Sequence, residues 1–143
     1  MATNLDLSHA MRGKLISALK ADAELADIVP PSRVFPQATP ADLEWPFIKM
    51  GAPITTPLFI DGNDGSQYSA AVHCFTKKAA GVSDPERQAM EINAHIVRIL
   101  NAMDVAVIGD GLTMDCTPRQ SQVMQDEDAD AFHGFVTFDA NAS

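Results

Sequence analysis

The residues in this sequence whose types could do chemistry are four histidines (His9, His73, His95, His133), two cysteines (Cys74, Cys116) and two runs of carboxylates that begin at Asp61 and Asp126. A catalytic or structural zinc needs three or four converging ligands, and no pair of histidines has the His-Glu-x-x-His spacing that supplies two from one helix. His73 and Cys74 are neighbours on a predicted strand, so their side chains point to opposite faces and cannot join one cluster. A Cys–His nucleophile also needs a third residue to orient the base, and none is apparent. The ordinary role for these histidines is half-buried packing. The cysteines fall in segments that read as strands, where small buried hydrophobes are common. A disulfide would require adjacent strands with suitable geometry. Without an export signal at 1–6 the expectation is reduced thiols.

The first acidic run, Asp61-Gly62-Asn63-Asp64-Gly65, has the alternating oxygens of a calcium loop. Its sixth position is Ser66 rather than glycine, and its twelfth is Val72 rather than glutamate. The second run holds Asp126, Glu127, Asp128 and Asp130, with Ala131 and Thr137 at the corresponding positions. Both read as solvated acidic turns. Gly109-x-Gly111 lacks the third glycine and the following helix of a dinucleotide site, and reads as a turn between strands. No Gly-x-Ser-x-Gly or phosphate-loop motif occurs. The residues therefore specify no catalytic, cofactor or metal site, and no enzyme is expected.

The elements that would position these residues are organised around 67–103. Residues 67–76 alternate as a strand, with Tyr68, Ala70, Val72 and Cys74 on one face and Ser69, Ala71, His73 and Phe75 on the other. A turn over 77–82 bends at Gly81. Ser83 then opens a helix, with Glu86 completing a capping box, Asp84 at the positive dipole end and Pro85 in the first turn. Ala89, Ile92, Ile96, Ile99, Leu100 and Met103 recur at spacings of three and four, an apolar stripe that must cover a sheet face.

Before this unit, 5–21 reads as a helix striped by Leu7, Met11, Leu15, Ala18 and Leu19, capped by Asp6 or Ser8. Asp22 caps a short turn ending at Pro30-Pro31. A brief strand over 33–35, a loop over 36–44, a strand over 45–51 and a long loop over 53–66 follow. After the unit come an apolar stretch at 105–108, strands at 112–117 and 120–125 around Pro118, an acidic turn at 126–130, and a strand at 132–139. The termini, 1–6 and 140–143, are expected to fray. Together they predict an α+β fold, an antiparallel-rich sheet with two main helices packed on one face.

A chain of 143 residues with 46% hydrophobic content fits one domain over 1–143. No apolar run approaches the ~18 residues of a membrane span. The formal net charge of −9 argues against free nucleic-acid binding, which needs concentrated positive charge. It suits a surface past which DNA slides without sticking.

In the order of its segments the chain resembles the tail-completion, or tail-terminator, proteins of long-tailed bacteriophages and gene transfer agents. Leu15-Ile16-Ser17-Ala18-Leu19-Lys20-Ala21-Asp22 matches the first helix and turn of that family. Arg33-Val34-Phe35 and Trp45-Pro46-Phe47-Ile48 match its strand entry, and Val72-His73-Cys74-Phe75 ends its central strand. The stretch from Glu86 to Leu100 matches its long helix, and Phe132-His133-Gly134-Phe135-Val136-Thr137-Phe138 its closing strand. The loop around Asp61 and the acidic run from Asp126 depart from it. The resemblance implies a structural virion protein, assembled in the bacterial host cytoplasm. Such proteins form a ring, commonly a homo-hexamer, that caps the head-proximal end of the tail tube. They contact the tail tube protein and the head-connector or stopper protein while DNA passes through. Asp61, Asp64, Asp126, Glu127, Asp128 and Asp130 become candidates for a lumen or tube-facing surface. The alternatives are another neck protein, such as a head-completion or stopper ring, and a small ligand- or metal-binding domain using His73, His95 or Cys74.

Overall fold

The computed structural model describes residues 6–60, 63–103, 106–109, 111–127 and 130–143. Helix α1 (Ser8–Ala21) buries Met11, Leu15 and Leu19, one face at spacings of four. It begins later than its apolar pattern suggests. Asp6 accepts a hydrogen bond from the Ser8 amide at 3.0 Å, but neither residue caps: Leu7 holds the cap position and no side chain bonds there. Asp22 does cap α2 (Ala23–Ala26), accepting from the Leu25 amide at 2.9 Å.

The sheet is seven-stranded and mixed. Its strands are β1 (Val34–Phe35), β2 (Phe47–Met50), β3 (Ile54–Ile60), β4 (Asn63–Lys77), β5 (Ala106–Gly109), β6 (Leu112–Gln125) and β7 (Ala131–Ala142). The order across it is β1-β2-β4-β7-β6-β5, and β3 joins β4 on the same edge as β2. Among the described residues only the β1–β2 pair is parallel. The predicted α+β class is the one observed. Helix α3 (Pro85–Asn101) buries Ala89, Ile92, Ile96, Ile99 and Leu100 against β4, β6 and β7. Helix α1 joins the same core, which includes Tyr68, Val72, Cys74, Val136 and Phe138. Both main helices thus cover one face.

The expected loop over 53–66 is instead a hairpin: β3 and the first residues of β4 pair from Ile54↔Ser69 to Ile60↔Asn63. Pro57 interrupts the strand pattern in the sequence, but an edge strand tolerates a missing donor. The Asp-Gly step in the connecting sequence is a standard hairpin signal. β6 is likewise one strand rather than two. Its register shifts between Pro118, which faces Phe138, and Gln120, which faces Thr137, so Arg119 is the extra residue of a bulge beside the proline.

The helix cap also differs from the expected box. Asp84, not Ser83, caps α3, accepting from the Arg87 amide at 3.0 Å. Pro85 follows at the first helical position, as expected. The C-terminal segment is not frayed. Ala140 and Ala142 are buried and pair with both β4 and β6, and Ser143 exchanges two backbone hydrogen bonds with Thr113 at 3.0 Å. Most of 1–6 lies outside the described residues.

Candidate functional site

The helices leave the other sheet face uncovered among the described residues. Its side chains fall in rows because directly opposed residues share a face. One row runs Phe47, Phe75, His133, Met124 across β2, β4, β7 and β6; the next runs Lys49, His73, Phe135, Gln122. Phe75 stacks on Phe47 with centroids 4.8 Å apart and on His133 at 4.4 Å, while Trp45 meets Phe47 edge-on at 5.1 Å. The Lys49 ammonium lies 5.7 Å from the Phe75 ring centroid, and the Lys77 ammonium 5.8 Å from that of Trp45, both within cation–π range. Apart from Phe47, these rings are only half-buried. Met124 is 42% exposed beside them.

The sequence placed His73 and His133 on strands that might pair, and the structure brings them together. Nδ1 of His73 and Nε2 of His133 share a hydrogen bond at 2.7 Å. Burial, then the neighbouring His133 and Lys49 charges, lowers the His73 pKa to about 4. Burial is also the main cause that lowers His133, with the Asp126 carboxylate opposing it. The pair is therefore neutral at pH 7. Gly51 abuts the His73 ring: a Cβ there would lie 2.8 Å from Nε2. His95 instead lies on the helix side, with Nδ1 3.7 Å from Glu24 Oε2, and His9 is exposed on α1. Among the described residues, no three His, Cys, Asp or Glu converge as metal ligands.

The cysteines are both free and buried. Cys74 opposes Gly134 and Cys116 opposes Ala140, six positions apart along β7, far beyond the ~7 Å Cα limit for a disulfide. Burial pushes each thiol up to about 12, so neither offers a thiolate at neutral pH. Cys74 Sγ donates to Asn93 Oδ1 at 3.4 Å. Asn93 is a buried polar residue the apolar-stripe argument passed over. Its amide donates to Ser121 Oγ and the Gln122 carbonyl at 3.1 Å, tying α3 to the sheet. The signal was an asparagine beside Ile92 on an otherwise apolar helix face.

Asp64 and the second acidic turn lie at opposite ends of β4. Asp64 pairs with Phe59 in the hairpin that opens the strand, whereas Lys77, at its other end, pairs with Ala131 just past the second turn. Thirteen positions separate Asp64 from Lys77, roughly 40 Å of strand. Asp61 and Asp128 lie outside the described residues. Around Asp126 the turn is closed by backbone bonds from the Asp126 amide to the Ala131 carbonyl and from the Lys78 amide to the Asp130 carbonyl, both 2.9 Å. Glu127 and Asp130 are exposed and Asp126 is half-buried.

This arrangement offers rings, lysines and carboxylates for contact with another surface. The fold is that of a chain in a solved structure titled "Virion of native gene transfer agent (GTA) particle". The match has a TM-score of 0.77 at 18% identity, over 97% of this chain and 98% of that one. No curated protein matches the chain. The family model for tail completion protein gp17 matches residues 13–142, and the chain therefore belongs to that family of structural phage-tail proteins.

Proposed function

We propose that this protein forms a ring, a homo-hexamer in the assembled particle, on the head-proximal end of the tail tube. There it ends tube polymerisation and joins the tube to the head-connector or stopper protein. The protein works in the virion as a structural part with no catalytic step, and DNA passes through the ring without sequence-specific contact. The observation that carries this reading is the family match over 13–142. The likeness in fold to a chain from a gene transfer agent virion supports it. A ring requires head-to-tail interfaces that close, and a stable interface buries roughly 800 Å² per partner. The uncovered aromatic face offers area of the right kind. Asp61, Asp64, Asp126, Glu127, Asp128 and Asp130 are candidates for a surface facing the lumen or the tube. Negative charge along a lumen would repel the DNA backbone.

Electron microscopy of particles made with this gene inactivated tests the reading. Tails of abnormal length, unattached to filled heads, are the expected result. Normal tails beside heads that leak DNA would move the protein to the head side of the neck. Intact infectious particles would overturn the structural role.

A further inference from the structure

We propose that the pocket between the first turns of α1 and Tyr68 of β4 binds a carboxylate group, with Arg12 and Tyr68 as the donors. This goes beyond the ring reading and does not depend on it.

The chain builds the pocket where α1 meets the sheet. The Leu7 amide donates to Ser66 Oγ at 3.0 Å, which seats the start of α1 on β4 two positions before Tyr68. Ser8, His9 and Arg12 are three and four residues apart, so they share one flank of the helix. These three, with Pro53 and Tyr68, line a pocket of about 160 Å³. One water needs only ~10–15 Å³, so there is room for a carboxylate and the first carbons of its stem.

The chemistry of the pocket is one-sided. Tyr68 is fully buried, and its ring stacks on Phe138 with centroids 6.0 Å apart. Yet among the described residues its hydroxyl has no hydrogen-bond partner. An unpaired buried hydroxyl is costly, and such groups are rare unless a ligand, ion or water meets them. The hydroxyl feels the Arg12 charge, so this end of the ring is the one turned toward Arg12 and the pocket. Burial raises the phenol pKa against that charge, and the group stays a neutral donor at pH 7. Arg12 itself is exposed, and among the described residues no carboxylate lies within salt-bridge range of it. No Asp or Glu is among the lining residues. Asp6, next to Ser8 in the chain, accepts from the Ser8 amide at 3.0 Å instead.

This donor set selects the ligand class. The guanidinium fork matches the two oxygens of a carboxylate, and the phenol adds a third bond to the same group. One permanent cation balances one negative charge. A phosphate monoester, or the run of phosphates in DNA, brings more charge than this site meets on a chain of net charge −9.

Tyr68 is the only tyrosine in the sequence, so isotope-labelled tyrosine gives one set of ring signals for a magnetic-resonance titration. The isolated protein is titrated with sodium acetate, sodium phosphate and sodium chloride at matched ionic strength. The expected result is a saturable shift with acetate, weaker with phosphate and absent with chloride, and a rise in Tm with acetate. Arg12→Gln should weaken acetate binding about ten-fold, the loss of one charge-assisted bond. Tyr68→Phe should melt no lower than wild type in carboxylate-free buffer, because it removes an unpaired hydroxyl. It should also lose most of the acetate-dependent rise. A Tyr68→Phe protein that melts well below wild type in that buffer would show that the hydroxyl already has a partner, a bound water included, and would overturn the proposal. So would an equal response to chloride, tighter binding of phosphate than of acetate, or unchanged acetate binding in Arg12→Gln. Tails assembled with Arg12→Gln separate the two sources of the group. A shortfall of protein on them identifies a side chain of a neighbouring protein, and wild-type incorporation a free small carboxylate.

Discussion

His73 and His133 show how position on a strand fixes chemistry. Alternation along β4 sends His73 to the uncovered face while Cys74 goes into the core. The histidine thus gains a histidine partner at 2.7 Å instead of a thiol. Its pKa of about 4 lies below the ordinary value of 6.5, chiefly through burial. Because the folded chain resists a proton that the unfolded chain accepts, stability from this site is complete above pH 6.5. It falls as the pH drops from about 6.5 to about 4. His133 shifts in the same direction. Partial solvent access reduces the effect, leaving a loss on the order of 2 kcal/mol. Thermal melts between pH 7 and pH 4 should show wild type losing more stability than His73→Gln over that window. Parallel curves for the two proteins would show that the pair contributes nothing to acid sensitivity.

At the scale of elements, α3 is seated on the sheet by a gap in β7. Gly134 leaves space where the helix meets the strand: a Cβ there would lie 2.7 Å from Cys74 Sγ and 2.8 Å from Asn93 Oδ1. Both are nearer than real Cβ contacts come. Neither neighbour is free to give way, since Cys74 is fully buried and Asn93 is held by three hydrogen-bond acceptors. Gly134→Ala should therefore destabilise the protein by about 1–3 kcal/mol in urea titration. Adding Cys74→Ala removes the sulfur and should recover part of that loss. A double variant as unstable as the sum of the single ones would place the strain elsewhere. The helix itself was legible, since its stripe of isoleucines and leucine carries the period. The clasp was not, because a glycine beside Phe135 gives no hint of which helix residue lies across from it. The N-terminal cap of α3 was off by one residue because Ser83 and Asp84 are equally good caps by type, and the chain's path through the preceding turn selects between them.

For the whole molecule the decisive feature is the length of β4. Its 15 residues put Asp64 and Lys77, the latter beside the second acidic turn, roughly 40 Å apart along the sheet. Under the ring reading, Asp126, Glu127, Asp128 and Asp130 are the candidates for the lumen or tube surface at the Lys77 end. Neutralising these four to Asn or Gln tests that role. Loss of charge at 126–130 should leave tails assembled but slow DNA release, read by a dye-based ejection assay. DNA release at the wild-type rate would remove these residues from the lumen.

The sequence by itself determined both main helices, the central and closing strands, which faces are apolar, and the class of fold. Those properties follow from local periodicity, because a helix or strand repeats along its own residues. It also carried the family resemblance, which lives in the order of segments. Tertiary structure alone decided what sequence distance conceals. It made 53–66 a hairpin, and it locked Ala140 and Ala142 between two strands although small residues at a terminus look frayed. It set His73 against His133, sixty residues apart, and it put Asp64 and the turn before β7 at opposite ends of β4. Each depends on strand register, which hydrogen-bonded pairing across the sheet fixes.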